Sequence, residues 1–122
     1  MLKLNNIHTY YSNIRAVRGV SLHIEAGEMV CLIGANGAGK STTLMTISGI
    51  HRPTQGTITF EGNDITLMLP EKRVALGISQ VPEGRLIFPE MTVLENLELG
   101  AYLRKDTPII KEDLSRVFDL FP

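Results

Sequence analysis

Cysteine is nearly absent from this sequence, since Cys31 is the only one in 122 residues. A single cysteine excludes an internal disulfide and a metal cluster built on cysteines. Cys31 lies within the apolar run from Met29 to Ile33. We therefore expect it to be a small residue of the core.

Long apolar runs are also missing, because none approaches the roughly 18 residues that a membrane-spanning helix needs. The first residues, Met1 to Asn6, lack the apolar centre of a secretory signal. These two absences predict a cytoplasmic protein. If the protein acts at a membrane, we expect a partner to hold it there.

Neither sign of charge is in excess, because 12 basic residues face 13 acidic ones and the net charge is −1 at pH 7. A protein that neutralises the phosphates of a nucleic acid needs clustered lysines and arginines, and this sequence has no such cluster. The composition therefore argues against a nucleic-acid partner. The length and the 43% of hydrophobic residues are typical of one globular domain.

The apolar residues predict two kinds of strand. Short extended segments predict a half-exposed antiparallel sheet, and they lie at residues 2–7, 17–24 and 56–62. Residues 28–33 differ, because their unbroken apolar run between Gly27 and Gly34 predicts a strand buried on both faces. A further short strand is expected at residues 77–81, where Pro82 would end it.

Helical signals follow the glycine-rich segment and recur towards the C-terminus. The sequence Thr92-Val93-Leu94-Glu95 matches a capping box, which opens helices. The first helix is expected over residues 41–48, with Leu44, Met45 and Ile47 as its apolar positions and Gly49 as its terminator. Further helices are expected over residues 70–73, from 92 onwards, and over 112–121.

The glycine-rich segment predicts a phosphate-binding loop. Inward-pointing backbone N–H groups can surround a triphosphate, and Gly34, Gly37 and Gly39 leave room for that approach. Lys40 would add charge at the terminal phosphates, and the Ser41 hydroxyl could bind Mg²⁺. A chance match is the alternative, but a buried strand before the loop and a helix after it favour phosphate binding. The loop is Gly34-Ala35-Asn36-Gly37-Ala38-Gly39-Lys40-Ser41.

Beyond this loop, almost the whole chain resembles the ATP-binding subunits of ABC transporters, and within them those of branched-chain amino acid importers, the LivF type. The segments that match that family are 34–42, 47–49, 53–58, 81–85 and 88–97. The resemblance implies an α/β fold with a P-loop NTPase core and an N-terminal antiparallel β subdomain. It implies ATP and Mg²⁺ as ligands.

The resemblance also implies that residues 1–122 form the N-terminal part of one ATP-binding domain, which contains three regions. The outer β subdomain would occupy about 1–27 and 56–62. The P-loop core would occupy about 28–52 and 77–91. The helical subdomain would begin at about 92 and continue to 122. The signature motif and the Walker B strand of the family do not occur in this sequence.

Several site residues are implied by position. Tyr11 matches the ring that stacks on adenine, although Tyr10 or Tyr11 could instead simply cover the sheet. Glu83 stands where most members have a glutamine that senses Mg²⁺ and the γ-phosphate, and Gln80 is three residues early. We expect Glu83 to act through Mg²⁺ or water. The nucleotide-binding set is Tyr11, Gly34, Ala35, Asn36, Gly37, Ala38, Gly39, Lys40, Ser41 and Thr42, with Lys40 and Glu83 as catalytic residues and Ser41 and Glu83 as metal ligands.

The expected partners are membrane-spanning permease subunits and a second ATP-binding subunit, with the chain at the cytoplasmic face of the membrane. The segment from Glu83 to Met91 would touch the permease, and its residues Phe88, Pro89 and Met91 form either an exposed docking patch or a local core. The missing signature, Asp-Glu strand and late histidine predict that this chain alone hydrolyses nothing. The alternatives are a non-hydrolysing regulatory module and a soluble ABC ATPase without a transport role.

Overall fold

The computed structural model describes residues 1–37 and 39–122. These residues form two compact units, Met1–Gln80 and Val81–Pro122. The first unit contains a β-sheet, the glycine-rich loop and two helices, and the second contains two helices. In the described part of the chain, no helix is both long enough and apolar enough to span a bilayer.

The sheet of the first unit is antiparallel, as predicted. Its strands are β1 (Leu2–Tyr11), β2 (Ile14–Ile24), β3 (Gln55–Phe60) and β4 (Asn63–Asp64), in the spatial order β2-β1-β3-β4. β1 and β2 extend further than predicted because they form one hairpin in which Tyr11 pairs with Ile14. The hairpin turn uses Ser12 at a φ of 56°.

The core of the first unit lies on one face of this sheet. Its fully or nearly fully buried apolar side chains are Leu2, Leu4, Ile7, Val17, Ile58 and Ile65. Ile47, Met68 and Ile78 pack against this cluster from outside the sheet. Three of the six come from β1, because this strand is central and pairs with both β2 and β3.

Helix α1 spans Lys40–Ser48 and ends at Gly49, as predicted, with Gly49 at a φ of 86°. Its buried residues are Thr43 and Thr46, whereas Leu44 is exposed. The expected apolar positions are therefore only partly correct, since Ile47 alone packs against the core cluster. The threonines can be buried because their hydroxyls donate to the carbonyls of Gly39 and Thr42, both at 2.7 Å.

Helix α2 spans Pro70–Ala75 and begins at Pro70, in agreement with the prediction. Its one buried residue is Arg73, a side chain that usually reaches solvent. Burial lowers the pKa of the Arg73 guanidinium from its ordinary value.

Two predicted strands are wrong. Residues 28–33 and 77–81 form no strand, and in the first of them Met29 is 92% exposed and Ile33 is 96% exposed. A strand exists only where a neighbour supplies its hydrogen bonds, and within the described residues no strand pairs with either segment. Cys31 is consequently exposed, and its expected place in the core is also wrong.

The second unit contains α3 (Val93–Gly100) and α4 (Thr107–Leu120). The predicted capping box is present, because Glu95 N donates to Thr92 Oγ1 at 3.1 Å and Thr92 N donates to Glu95 Oε2 at 2.8 Å. The connection between the helices is held by Arg104, which pairs with Asp106 at 2.8 Å and with Asp113 at 2.7 Å. The hydrogen bond from Arg104 lowers the pKa of the Asp106 carboxyl.

Candidate functional site

The glycine-rich loop is shaped by two glycines in the left-handed region. Gly37 has a φ of 82° and Gly39 a φ of 93°. A Cβ on Gly39 would lie 2.2 Å from the carbonyl oxygen of Ala16, so this residue must be glycine for the loop to meet β2. Gly34 is not in the left-handed region.

The side chain of Lys40 lies across the loop. Its ammonium donates to the carbonyl oxygens of Gly34 and Ala35, the second at 2.8 Å. The positive charge is thereby held over the loop backbone, and among the described residues no carboxylate pairs with it. An anion entering the loop would offer this ammonium stronger, charge-assisted hydrogen bonds than the two neutral carbonyls do.

Helix α1 begins at the end of the loop, at Lys40. Ser41 and Thr42 lie in its first turn, with Ser41 exposed, so the partial positive charge of the helix terminus adds to that of Lys40. The exposed Ser41 hydroxyl is a hard oxygen donor of the kind Mg²⁺ prefers. The donor chemistry of this turn therefore fits a magnesium ion that is also bound by phosphate oxygens.

Tyr11 stands at the end of β1, on the sheet against which the loop packs. Its side chain is 61% exposed, and its ring meets the ring of His51 edge-on, with the centroids 5.7 Å apart and the planes at 81°. An exposed aromatic ring of this kind can stack on a base. Tyr10 is engaged differently, because its ring and hydroxyl contact Arg15.

The predicted site residues fall into both units. Tyr11 and the loop residues belong to the first unit, whereas Glu83 lies exposed on a turn of the second, beside Gly84 at a φ of 88°. Phe88 is 54% exposed, so the segment from Glu83 to Met91 presents apolar surface. Ala38 lies outside the described residues. Gln80 accepts a hydrogen bond from the Ser48 hydroxyl at the end of α1.

Arg73 is a residue that sequence reasoning missed, and it contacts the last turn of α1 rather than the glycine loop. It is 1% exposed and donates to four backbone carbonyls, two of which belong to the last turn of α1. Its place in a short helix after Pro70 suggests a solvated charge, because arginine is mostly exposed in proteins. No feature of the sequence distinguishes it from the other arginines.

Comparison with known proteins decides the family. The sequence profile of the family described as "ABC transporter" matches residues 17–121. The chain belongs to the ABC transporter ATPase family. The family and the fold class predicted from the sequence are both confirmed.

Members of this family from different transport systems resemble the chain. It is 40% identical over 122 residues, the whole chain, to the high-affinity branched-chain amino acid transport ATP-binding protein BraG of Pseudomonas aeruginosa, and covers 52% of that protein. It is 35% identical over 100 residues, 82% of the chain, to the xylose/arabinose import ATP-binding protein XylG of Sulfolobus acidocaldarius, and covers 40% of it.

A solved ATP-binding cassette has the same fold. This structure is described as a dimer in a post-hydrolysis state bound to ADP and Pi, and it matches 87% of the chain with a TM-score of 0.73 and 32% identity. The chain covers 49% of that protein. The chain thus spans between 40% and 52% of the length of these three proteins.

Proposed function

We propose that this chain binds Mg²⁺-ATP as part of an ABC transporter ATPase that drives import of branched-chain amino acids. The observation that carries the proposal is the placement of the Lys40 ammonium over a glycine loop that opens directly into a helix N-terminus. Such a loop provides both backbone donors and a mobile cation for phosphate groups. The 40% identity to BraG supports the amino acid substrate, and the resemblance to XylG keeps sugars as the competing class.

Each residue of the loop would contribute a different part of ATP binding. Backbone N–H groups from Gly34 to Thr42 would surround the β- and γ-phosphates. Lys40 would exchange its bonds to Gly34 and Ala35 for bonds to the terminal phosphates. Ser41 would hold Mg²⁺, which on binding neutralises charge that builds up on the phosphate oxygens. Tyr11 would stack on adenine without reading its edges.

Hydrolysis of ATP, and its coupling to transport, would need motifs that this chain does not contain. We propose that a second ATP-binding subunit and the part of the relatives that this chain does not cover supply the signature motif, the water-activating carboxylate and the late histidine. Glu83 would act on the γ-phosphate through Mg²⁺ or water, since a carboxylate in direct contact would repel it. The exposed segment from Glu83 to Met91 would contact the permease at the cytoplasmic face of the membrane.

The test is the Lys40→Ala substitution, measured as ATP affinity by calorimetry with and without Mg²⁺. Removing the ammonium takes away the charge-assisted bonds to the terminal phosphates, so we expect affinity to fall at least about tenfold while the circular dichroism spectrum is unchanged. Lys111→Ala is the matched control, because Lys111 is an exposed lysine of α4 in the second unit. Equal affinity in both variants would show that the loop does not bind the triphosphate.

A further inference from the structure

Arg73 is a buried cation whose partners are all backbone carbonyls. Nε donates to Met68 O at 3.0 Å, Nη2 to Thr66 O at 3.0 Å, and Nη1 to Thr46 O and Ile47 O, both at 2.9 Å. Within the described residues no carboxylate pairs with it. The hydrogen bonds that the guanidinium donates thus join two segments of the chain.

One of these segments is the last turn of α1. Thr46 O and Ile47 O both lie in this turn, where Thr46 O also accepts from Gly49 N at 3.2 Å, and a cation at a helix C-terminus is favoured by the helix dipole. The fit is close, because a Cβ on Gly49 would lie 2.9 Å from Arg73 Nε. The second segment, Thr66 to Met68, follows β4 and belongs to the sheet side of the unit, since Ile65 N donates to Ile58 O of β3.

The same helix is fastened to the sheet at two more points. At its start, Gly39 packs on the carbonyl of Ala16 in β2. In its last turn, the hydroxyls of Thr46 and Thr9 in β1 are 3.1 Å apart in a buried hydrogen bond. β1 ends at Tyr11, so these contacts set the position of the phosphate-binding turn relative to the ring proposed to bind the base.

We propose that Arg73 is a positioning residue that aligns the phosphate-binding helix with Tyr11, so that one ATP molecule reaches both. The inference rests on the proposed function, because it concerns the same nucleotide site. Displacements of about 1 Å are enough to lose such simultaneous contacts. Without Arg73, the last turn of α1 loses its ties to Thr66 and Met68, and the triphosphate can bind only where the base no longer meets the ring.

A double-mutant cycle on the full natural chain tests this alignment. Distant sites without shared partners normally contribute additively to affinity. We expect Tyr11→Ala to weaken ATP binding about tenfold when Arg73 is present, as the loss of one stacked base does, and less than about threefold in the Arg73→Met background. Arg116→Met is the matched control, since Arg116 is an exposed arginine of α4, and in that background Tyr11→Ala should keep its full effect.

The variants also separate alignment from simple loss of folding. Affinities are compared after correction for the folded fraction, so a purely structural Arg73 leaves the effect of Tyr11→Ala at tenfold and overturns the inference. If Arg73→Met does not fold, Arg73→Lys takes its place. Lysine retains the charge but cannot reach both the last turn of α1 and the segment from Thr66 to Met68. In that background the effect of Tyr11→Ala should again fall at least about twofold. Absence of ATP binding by the unsubstituted chain would overturn the proposed function itself, whereas normal binding with additive variants overturns only the role of Arg73.

Discussion

Gly39 shows how one residue ties the candidate site to the sheet. Its φ is 93°, and a Cβ added to it would lie 2.2 Å from the carbonyl oxygen of Ala16. We expect Gly39→Ala to lower the free energy of unfolding by more than the roughly 1–3 kcal/mol of the backbone strain alone. Urea denaturation measures this loss.

Gly27→Ala is the control for that strain. Gly27 has a similar φ of 78°, but a Cβ there would meet nothing within 4 Å. Gly27→Ala should therefore lower the free energy of unfolding only by the backbone strain, without the steric overlap. If the two variants lose the same stability, the loop does not press against β2 in solution.

At the scale of an element, Asn96 of α3 holds the segment that precedes its own helix. Its Oδ1 accepts from Phe88 N at 2.9 Å, while its Nδ2 donates to Phe88 O at 3.0 Å and to Thr92 O at 2.9 Å. We expect Asn96→Ala to speed hydrogen exchange of the Phe88 amide at least about tenfold, since that N–H loses its acceptor. Exchange followed by NMR gives the rate.

Asn96→Asp separates the two halves of this contact. Aspartate keeps an acceptor for Phe88 N but loses all three donor bonds of the amide nitrogen, to Phe88 O, Met91 O and Thr92 O. The Phe88 amide should stay protected in this variant, and Asn63→Ala, which removes a single long bond of 3.4 Å to Glu61 O, should leave it unchanged. Loss of protection in Asn96→Asp would mean that the acceptor alone does not hold the segment, because the new carboxylate oxygen faces the carbonyl oxygens of Phe88 and Thr92.

At the scale of the whole molecule, Cys31 reports whether the exposed apolar run is covered. In this chain the cysteine is exposed, along with Met29 and Ile33. We expect a thiol reagent to modify Cys31 of the 122-residue chain about as fast as in urea, and at least about tenfold more slowly in a chain as long as the relatives. Equal rates in the two chains would show that no further strand covers residues 28–33.

Local signals were sufficient for much of the fold. The start of α2 at Pro70, the capping box of Thr92 and Glu95 and the end of α1 at Gly49 were predicted correctly, because each depends on a few neighbouring residues. The antiparallel strands followed from alternation of apolar residues. The two failures are residues 28–33, where an apolar run predicts a strand buried on both faces, and residues 77–81, where a short strand is predicted before Pro82. Neither forms a strand, because strand pairing requires partners elsewhere in the chain.

The family and the glycine loop were determined by the sequence itself, because a phosphate-binding loop uses consecutive residues whose chemistry can be read in order. The roles proposed for Tyr11, for the glycine loop with Lys40 and Ser41, and for Glu83 stay predictions. Only the tertiary structure decided that Arg73 is buried and that Lys40 lies over its own loop. Both depend on carbonyls that the fold brings to the side chain, and no local pattern of residue types specifies such an encounter.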